Sequence, residues 1–160
     1  LVAIDTLRPD HLGCYGYPKA TSPRIDSLAA RSVVFDQAIA PAIPTMPSFT
    51  TLLTGLHPYR HGIVSHIPAT ERLDRRIETF PQLARRAGMT TIGIDNLVTQ
   101  GHGRGSWFAR GFDFYSGYLY QPFTNQSEQL VDRAIAYADA CGEDPFLLFL
   151  HLWDPHTPYG

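Results

Sequence analysis

The stretch Ile43-Pro44-Thr45-Met46-Pro47-Ser48-Phe49-Thr50-Thr51-Leu52-Leu53-Thr54-Gly55 holds the residues whose types and spacing first suggest chemistry. Pro44 and Pro47 lack a backbone N–H, which predicts no regular element before Ser48. The hydroxyl-and-leucine run that follows reads as a short helix, with Ser48 as a candidate N-cap and Gly55 as the stop. Thr45 then lies just outside a helix start, where free N–H groups and the helix dipole favour an anion. That is a place for a nucleophile attacking a phosphate-like or sulfate-like group. A Pro-bounded helix start with a capping serine is the plainer reading of the same residues. The second chemical position is Asp5, which ends the apolar run Leu1-Val2-Ala3-Ile4. Such a run suits a strand buried on both faces of a parallel sheet, and ligands of open α/β sheets sit at strand carboxyl ends. Asp5 is therefore placed for a metal ligand or a catalytic carboxylate, with a turn-capping aspartate as the alternative.

The elements that must position these residues follow from periodicity. Ser22 and Pro23 signal a helix start, Ile25, Leu28 and Ala29 continue it, and it is expected to stop near Ser32. Val33-Val34-Phe35 reads as a short strand. His57 and His61 fall in a turn marked by Pro58 and Gly62 and read as structural. Thr79-Phe80-Pro81 opens another helix that Gly88 closes. Thr90-Thr91-Ile92-Gly93-Ile94 reads as the next strand, ending at Asp95-Asn96. Leu130, Val131, Ala134, Ile135 and Ala138 line one side of a helix from about Ser127 to Cys141, closed by Gly142. Pro145-Phe146-Leu147-Leu148-Phe149-Leu150 is a buried strand running into His151. This alternation predicts an α/β fold with a mainly parallel central sheet and helices on both faces. Right-handed crossovers would bring Asp5, Thr45, Asn96 and His156 to one edge of it. Gly101-His102-Gly103-Arg104-Gly105 is glycine-rich but lacks the Gly-Lys-Ser/Thr of a phosphate loop.

Composition sets the outer limits. The chain has 160 residues, the size of one domain, and 44% hydrophobic residues, which argues against a disordered chain. A net charge of −2 gives no hint of a nucleic-acid or anionic-membrane partner. Two cysteines are too few for a disulfide framework and do not fix a compartment. No apolar run is long enough to span a membrane. The chain opens inside an apolar run and closes on Pro158-Tyr159-Gly160. It therefore reads as the N-terminal part of a single catalytic domain that continues beyond Gly160.

Three segments carry a resemblance. Thr45-Met46-Pro47-Ser48-Phe49, followed by Leu52-Leu53-Thr54-Gly55-Leu56-His57-Pro58-Tyr59-Arg60-His61-Gly62-Ile63, resembles the nucleophile segment of the sulfatase family, Cys-x-Pro-Ser-Arg and a leucine-rich run into Thr-Gly. Asp5-Thr6-Leu7-Arg8-Pro9-Asp10 with Leu12-Gly13-Cys14-Tyr15-Gly16 resembles the opening of a large sulfatase subgroup. His151-Leu152-Trp153-Asp154-Pro155-His156-Thr157-Pro158-Tyr159 resembles the segment in which a sulfatase strand ends in His-x-x-Asp-Pro-His-x-Pro-Tyr. In the family the cysteine matures to formylglycine. Thr45 stands in its place and Phe49 in place of the arginine, so no formylglycine is expected. A threonine there is similar to the phosphodiesterase and phosphatase branches of the alkaline phosphatase superfamily.

What the resemblance implies is specific. Asp5 is a ligand of an active-site divalent cation, with Ca, Zn, Mn and Mg indistinguishable, and Thr45 is the nucleophile beside it. His156 contacts the scissile ester and protonates the leaving oxygen. Asn96 is the candidate for ester contacts at its strand end. The family's Gly-Lys-Trp-His lysine is absent, and His102 or Arg104 is the candidate substitute. Arg8 and Asp10 brace their loop by pairing. Thr6, where many sulfatases carry a second aspartate, is not carried over as a ligand. His151 is equally a hydrogen-bonded core histidine or a functional one. The expected function is metal-dependent hydrolysis of phosphate or sulfate esters, phosphoesters favoured, on a small-molecule, lipid or carbohydrate substrate. The alternatives are a sulfuric ester hydrolase proper, a phospho-group transferase of the same superfamily, and a non-catalytic binding domain. The oligomeric state is left open.

Overall fold

The computed structural model describes residues 1–65, 71–95, 107–116 and 127–156. It divides into two compact units, one formed by Leu1–Asp5 with Pro41–Gly160 and the other by Thr6–Ala40.

The larger unit is built on a parallel sheet. Its strands are β1 (Val2–Ile4), β2 (Thr90–Asp95), β3 (Phe114–Ser116) and β4 (Phe146–Leu152), in the order β1-β4-β2-β3. Every neighbouring pair runs parallel. β4 is therefore central, which is why its sequence is an almost unbroken apolar run. Side chains alternate across the sheet, and the register decides which ones meet. Ile92, Ile94, Leu148, Leu150 and Leu152 share one face and pack under the helix Ser127–Cys141, through Leu130, Val131, Ala134 and Tyr137. The opposite face carries Gly93, Asp95, Phe149 and His151, in pairs Gly93↔Phe149 and Asp95↔His151. Two helices, Thr45–Thr54 and Phe80–Arg86, lie in contact with each other, and the second also contacts β2 and β4. Met46 and Leu53 of the first bury with Ile63, Leu73, Trp107 and Phe108, with Phe49 and Tyr115 at the margin of that cluster.

The helix at Thr45 starts earlier than the prolines predict. Thr45, Met46 and Pro47 are its first residues, not a loop before it, and Ser48 is inside the helix and not its N-cap. The reason is that the first four N–H groups of a helix have no intrahelical acceptor, so a proline in the first turn forfeits nothing. The buried hydroxyl of Thr50 is satisfied by donating to the Met46 carbonyl at 2.7 Å, and Thr54 does the same to Thr50 at 2.6 Å. Gly55, with φ of 68°, ends the helix as expected.

The short helix Pro58–His61 follows, and His61 is buried inside it as a structural residue. Its Nδ1 accepts the Ile63 N–H at 3.1 Å and its Nε2 faces the Thr51 hydroxyl at 3.1 Å. Burial pushes the His61 imidazole below its ordinary value, countered in part by a hydrogen bond to the Pro47 backbone.

The smaller unit holds two 3-10 turns, Pro9–His11 and Gly13–Tyr15, and the helix Pro23–Ala29. Ser22 stands at the N-cap position, but its hydroxyl does not cap the helix. It donates to Asp26 at 3.0 Å and accepts the Gly13 N–H at 3.0 Å, tying helix to turn. Arg8 and Asp10 do pair, at 2.6 Å and in the open. Val33, Val34 and Phe35 form no strand: Val33 is 83% and Phe35 70% exposed. Their β-branched and aromatic character is a packing preference, and no strand partner meets them among the described residues.

Candidate active site

The site grows out of the register of the central strand. β1 ends at Ile4, paired with Leu152, and the next N–H, that of Asp5, donates to the Leu152 carbonyl at 2.8 Å. Asp5 is thus held at the carboxyl end of β1, buried to 7% exposure. The chain turns away immediately after it: Thr6 takes a φ of 54°, a left-handed conformation that is strained for a β-branched residue.

Two partners converge on one oxygen of Asp5. The Thr45 hydroxyl donates to Asp5 Oδ2 at 3.1 Å. His151 Nε2 meets the same oxygen at 3.2 Å. The other ring nitrogen, Nδ1, lies 2.8 Å from Asp95 Oδ1, and the Tyr115 hydroxyl donates to Asp95 Oδ2 at 2.9 Å. A continuous path therefore runs Thr45–Asp5–His151–Asp95–Tyr115 through a site in which His151 and Asp95 are fully buried. Each ring nitrogen thus stands within hydrogen-bond reach of a carboxylate oxygen. Phe49, one turn along the helix from Thr45, lays its ring 4.5 Å from the His151 ring. The position that carries arginine in the resembling segment here packs an aromatic ring against the imidazole.

Of the residues singled out in the sequence, Asp5 and Thr45 come together directly. His156 lies in the turn after β4, its ring stacked on Trp153 at 3.9 Å with planes 16° apart, and its N–H bonded to the Trp153 carbonyl at 2.8 Å. Trp153 in turn meets His151 edge-on at 6.1 Å. Ser127, at the start of its helix, is hydrogen-bonded to Asp154 and tethers that turn. Asn96, His102 and Arg104 lie outside the described residues. Sequence reasoning passed over Asp95 and Tyr115. The signal for Asp95 was present: an acidic residue closing a buried strand, just where Asn96 was preferred. Tyr115 carried none, because β3 has only three residues and no periodicity to read.

A divalent cation is tested by the donors themselves. The Asp5 carboxylate and the Thr45 hydroxyl are adjacent hard oxygens at one strand end, which fits one side of such an ion. Among the described residues no group of three or more His, Cys, Asp or Glu is arranged to hold a metal. Among them, too, no helix is long and apolar enough to cross a membrane.

Comparison with known proteins agrees with this architecture. The chain is 33% identical over 101 residues to iduronate 2-sulfatase of Mus musculus, covering 63% of this chain and 18% of the relative. It is 27% identical over 151 residues to N-acetylglucosamine-6-O-sulfatase of Bacteroides thetaiotaomicron, covering 92% of this chain and 26% of the relative. The chain thus spans roughly a fifth to a quarter of the length of these curated relatives. The fold is shared with the phosphonate monoester hydrolase of Agrobacterium radiobacter, at a TM-score of 0.79 and 18% identity, over 98% of this chain and 40% of that one. The sulfatase family profile matches residues 1–160, and the chain belongs to the sulfatase family.

Proposed function

We propose that this chain supplies the nucleophile-bearing part of a metal-dependent hydrolase of phosphate or sulfate esters, with phosphoesters preferred. The observation that carries the reading is the 3.1 Å hydrogen bond from the Thr45 hydroxyl to Asp5 at a strand's carboxyl end. A hydroxyl nucleophile needs a neighbour that favours loss of its proton, and this one already points at a carboxylate. Asp5 and Thr45 would hold a divalent cation; when bound, it supplies positive charge that lowers the hydroxyl pKa and neutralises the non-bridging oxygens. Ca, Zn, Mn and Mg all suit oxygen donors of this kind.

The chain's own residues then divide the work. Thr45 Oγ1 passes its proton to the Asp5 carboxylate it is bonded to and attacks the phosphorus in line, the Oγ1–P bond forming as the bond to the leaving oxygen breaks. His156, its ring plane set by Trp153, gives a proton to that oxygen. Water then attacks the phosphorus and the Thr–phosphate bond breaks: the water oxygen stays on the phosphate, one water proton restores His156, and Thr45 Oγ1 takes back the proton held by Asp5. Asn96 and His102 are proposed to contact the ester. Phosphorus is preferred because a Thr–phosphate can be released by water, whereas a Thr–sulfate has no aldehyde to collapse to. Threonine also cannot mature to formylglycine. Phe49 leaves one positive charge fewer than an arginine would, which suits a diester better than a dianionic monoester. The substrate is a small-molecule, lipid or carbohydrate ester, and residues 1–160 are one part of a single catalytic domain.

A second reading, sulfuric ester hydrolysis, is favoured by the curated relatives, whose names are those of carbohydrate sulfatases. The test uses the full-length protein with divalent metal on p-nitrophenyl sulfate, p-nitrophenyl phosphate and a p-nitrophenyl phosphodiester. We expect phosphoester turnover to exceed sulfate turnover and Thr45→Ala to lose most of it. Sulfate turnover that survives Thr45→Ala would overturn both nucleophile and substrate, and Ser48 would be the next hydroxyl to examine. Adding an alcohol acceptor separates hydrolysis from transfer by its product. Absence of both metal binding and turnover would leave a binding domain.

A further inference from the structure

We propose that His151 is a positioning residue: Asp95 and Tyr115 hold its imidazole so that Nε2 fixes the Asp5 carboxylate and, through it, the Thr45 hydroxyl. The inference rests on the reading of Asp5 as a cation ligand and Thr45 as nucleophile.

Three observations carry it. First, β4 is a central strand of otherwise apolar residues, Phe-Leu-Leu-Phe-Leu-His-Leu, and a fully buried imidazole there is costly unless its polar atoms are used. Both are used, and both on carboxylates. Second, the arrangement is pinned by backbone register. Asp95 pairs with His151 across β2 and β4, and Ala3, two residues before Asp5 on the same strand face, pairs with His151 across β1 and β4. The three side chains therefore project to one side of the sheet, Asp95 level with His151 and Asp5 two residues further toward the carboxyl edge. Third, the oxygen that His151 reaches is the one that Thr45 reaches, so a shift of the imidazole is passed to both. Phe49, from the helix that carries Thr45, closes on the ring at 4.5 Å. The two partners differ in kind: Asp95 is a buried anchor on one side, and Asp5, on the other, is the candidate ligand that Thr45 also reaches.

Two near-isosteric substitutions separate positioning from packing. The amide of glutamine reaches the position of Nε2, so His151→Gln keeps a contact to Asp5 and gives up Asp95. The amide of asparagine reaches the position of Nδ1, so His151→Asn keeps Asp95 and gives up Asp5. The measurements, on the full-length protein, are Mn²⁺ affinity by calorimetry and the melting temperature in chelator. Partners that orient a metal ligand are worth about 10–100-fold in metal affinity. We expect a loss of that order in His151→Asn, a smaller loss in His151→Gln, and a comparable fall in melting temperature in both, since each strands one buried contact. Tyr115→Phe, which removes only the hydroxyl on Asp95, is expected to weaken Mn²⁺ binding less than His151→Asn while the protein folds. If both His151 variants bind Mn²⁺ as the wild type does while Asp5→Asn loses it, the positioning role is wrong and the ligand reading stands. If Asp5→Asn leaves the affinity unchanged, the ligand reading fails and the positioning proposal fails with it. Should neither His151 variant fold, unchanged affinity in Tyr115→Phe overturns the proposal.

Discussion

Replacing Asp95 with alanine is the sharpest test of how the buried polar path contributes to stability. Asp95 and His151 are both fully buried, and the 2.8 Å contact between them has no access to water. Asp95→Ala leaves His151 Nδ1 and the Tyr115 hydroxyl without this acceptor. Leaving a buried donor without its acceptor costs about 1–3 kcal/mol, and here two donors lose this one. That is a large part of the roughly 5–15 kcal/mol by which a domain is stable. Asp95→Asn keeps an acceptor for one of the two donors and is expected to cost about 1–3 kcal/mol. The assay is guanidinium denaturation of full-length wild type and both variants, compared at an unchanged slope so that the midpoint reports stability. A cost below about 1 kcal/mol for Asp95→Ala, the net worth of an ordinary hydrogen bond, would refute the argument. It would mean that the imidazole is satisfied without Asp95 and that the path is not a unit.

Two further predictions follow from the same face of the sheet and from the helix beside it. A Cβ at Gly93 would stand 2.4 Å from the Tyr115 ring and 3.3 Å from Phe112, so Gly93→Ala should displace Tyr115 from Asp95 and destabilise by about 1–3 kcal/mol; wild-type stability in denaturation would show that the ring has room to move. His61, whose folded pKa lies below its ordinary 6.5, makes the unfolded chain bind the extra proton, so its stabilising contribution is present above pH 6.5 and is lost as pH falls through the folded value. His61→Gln should flatten the acid side of the stability–pH curve, and curves that stay parallel would exclude the contribution.

Much of the frame was legible because its signals are local. The apolar runs Leu1–Ile4 and Phe146–Leu150 and the β-rich run Thr90–Ile94 announce strands, and the spacing of Leu130, Val131 and Ala134 announces the helix Ser127–Cys141, which the structure places at those bounds. Each depends on burial periodicity over a few residues. The Val33–Phe35 strand and the late helix start at Ser48 failed for a shared reason. Propensity describes what a residue tolerates, and the presence of a strand partner or the exemption of a helix's first turn decides what it does.

The candidate site divides along the same line. Asp5 and Thr45 could be named from the sequence, since a strand end and a helix start are local features. The path that joins them could not. His151 meets Asp95 across 56 residues and Asp5 across 146, and Thr45 meets Asp5 across 40. No periodicity carries information over such separations; only the register of β4 between β1 and β2 sets which side chains share a level. A slip of one residue would turn His151 toward the helix Ser127–Cys141 and leave Asp5 and Asp95 facing each other without the imidazole between them. The amino-acid sequence thus determined which groups were available and at which ends of which elements they stood. The pairing of the strands decided that a histidine indistinguishable in sequence from a core residue would stand between two carboxylates, because side-chain direction alternates with every residue and is resolved only when the sheet forms.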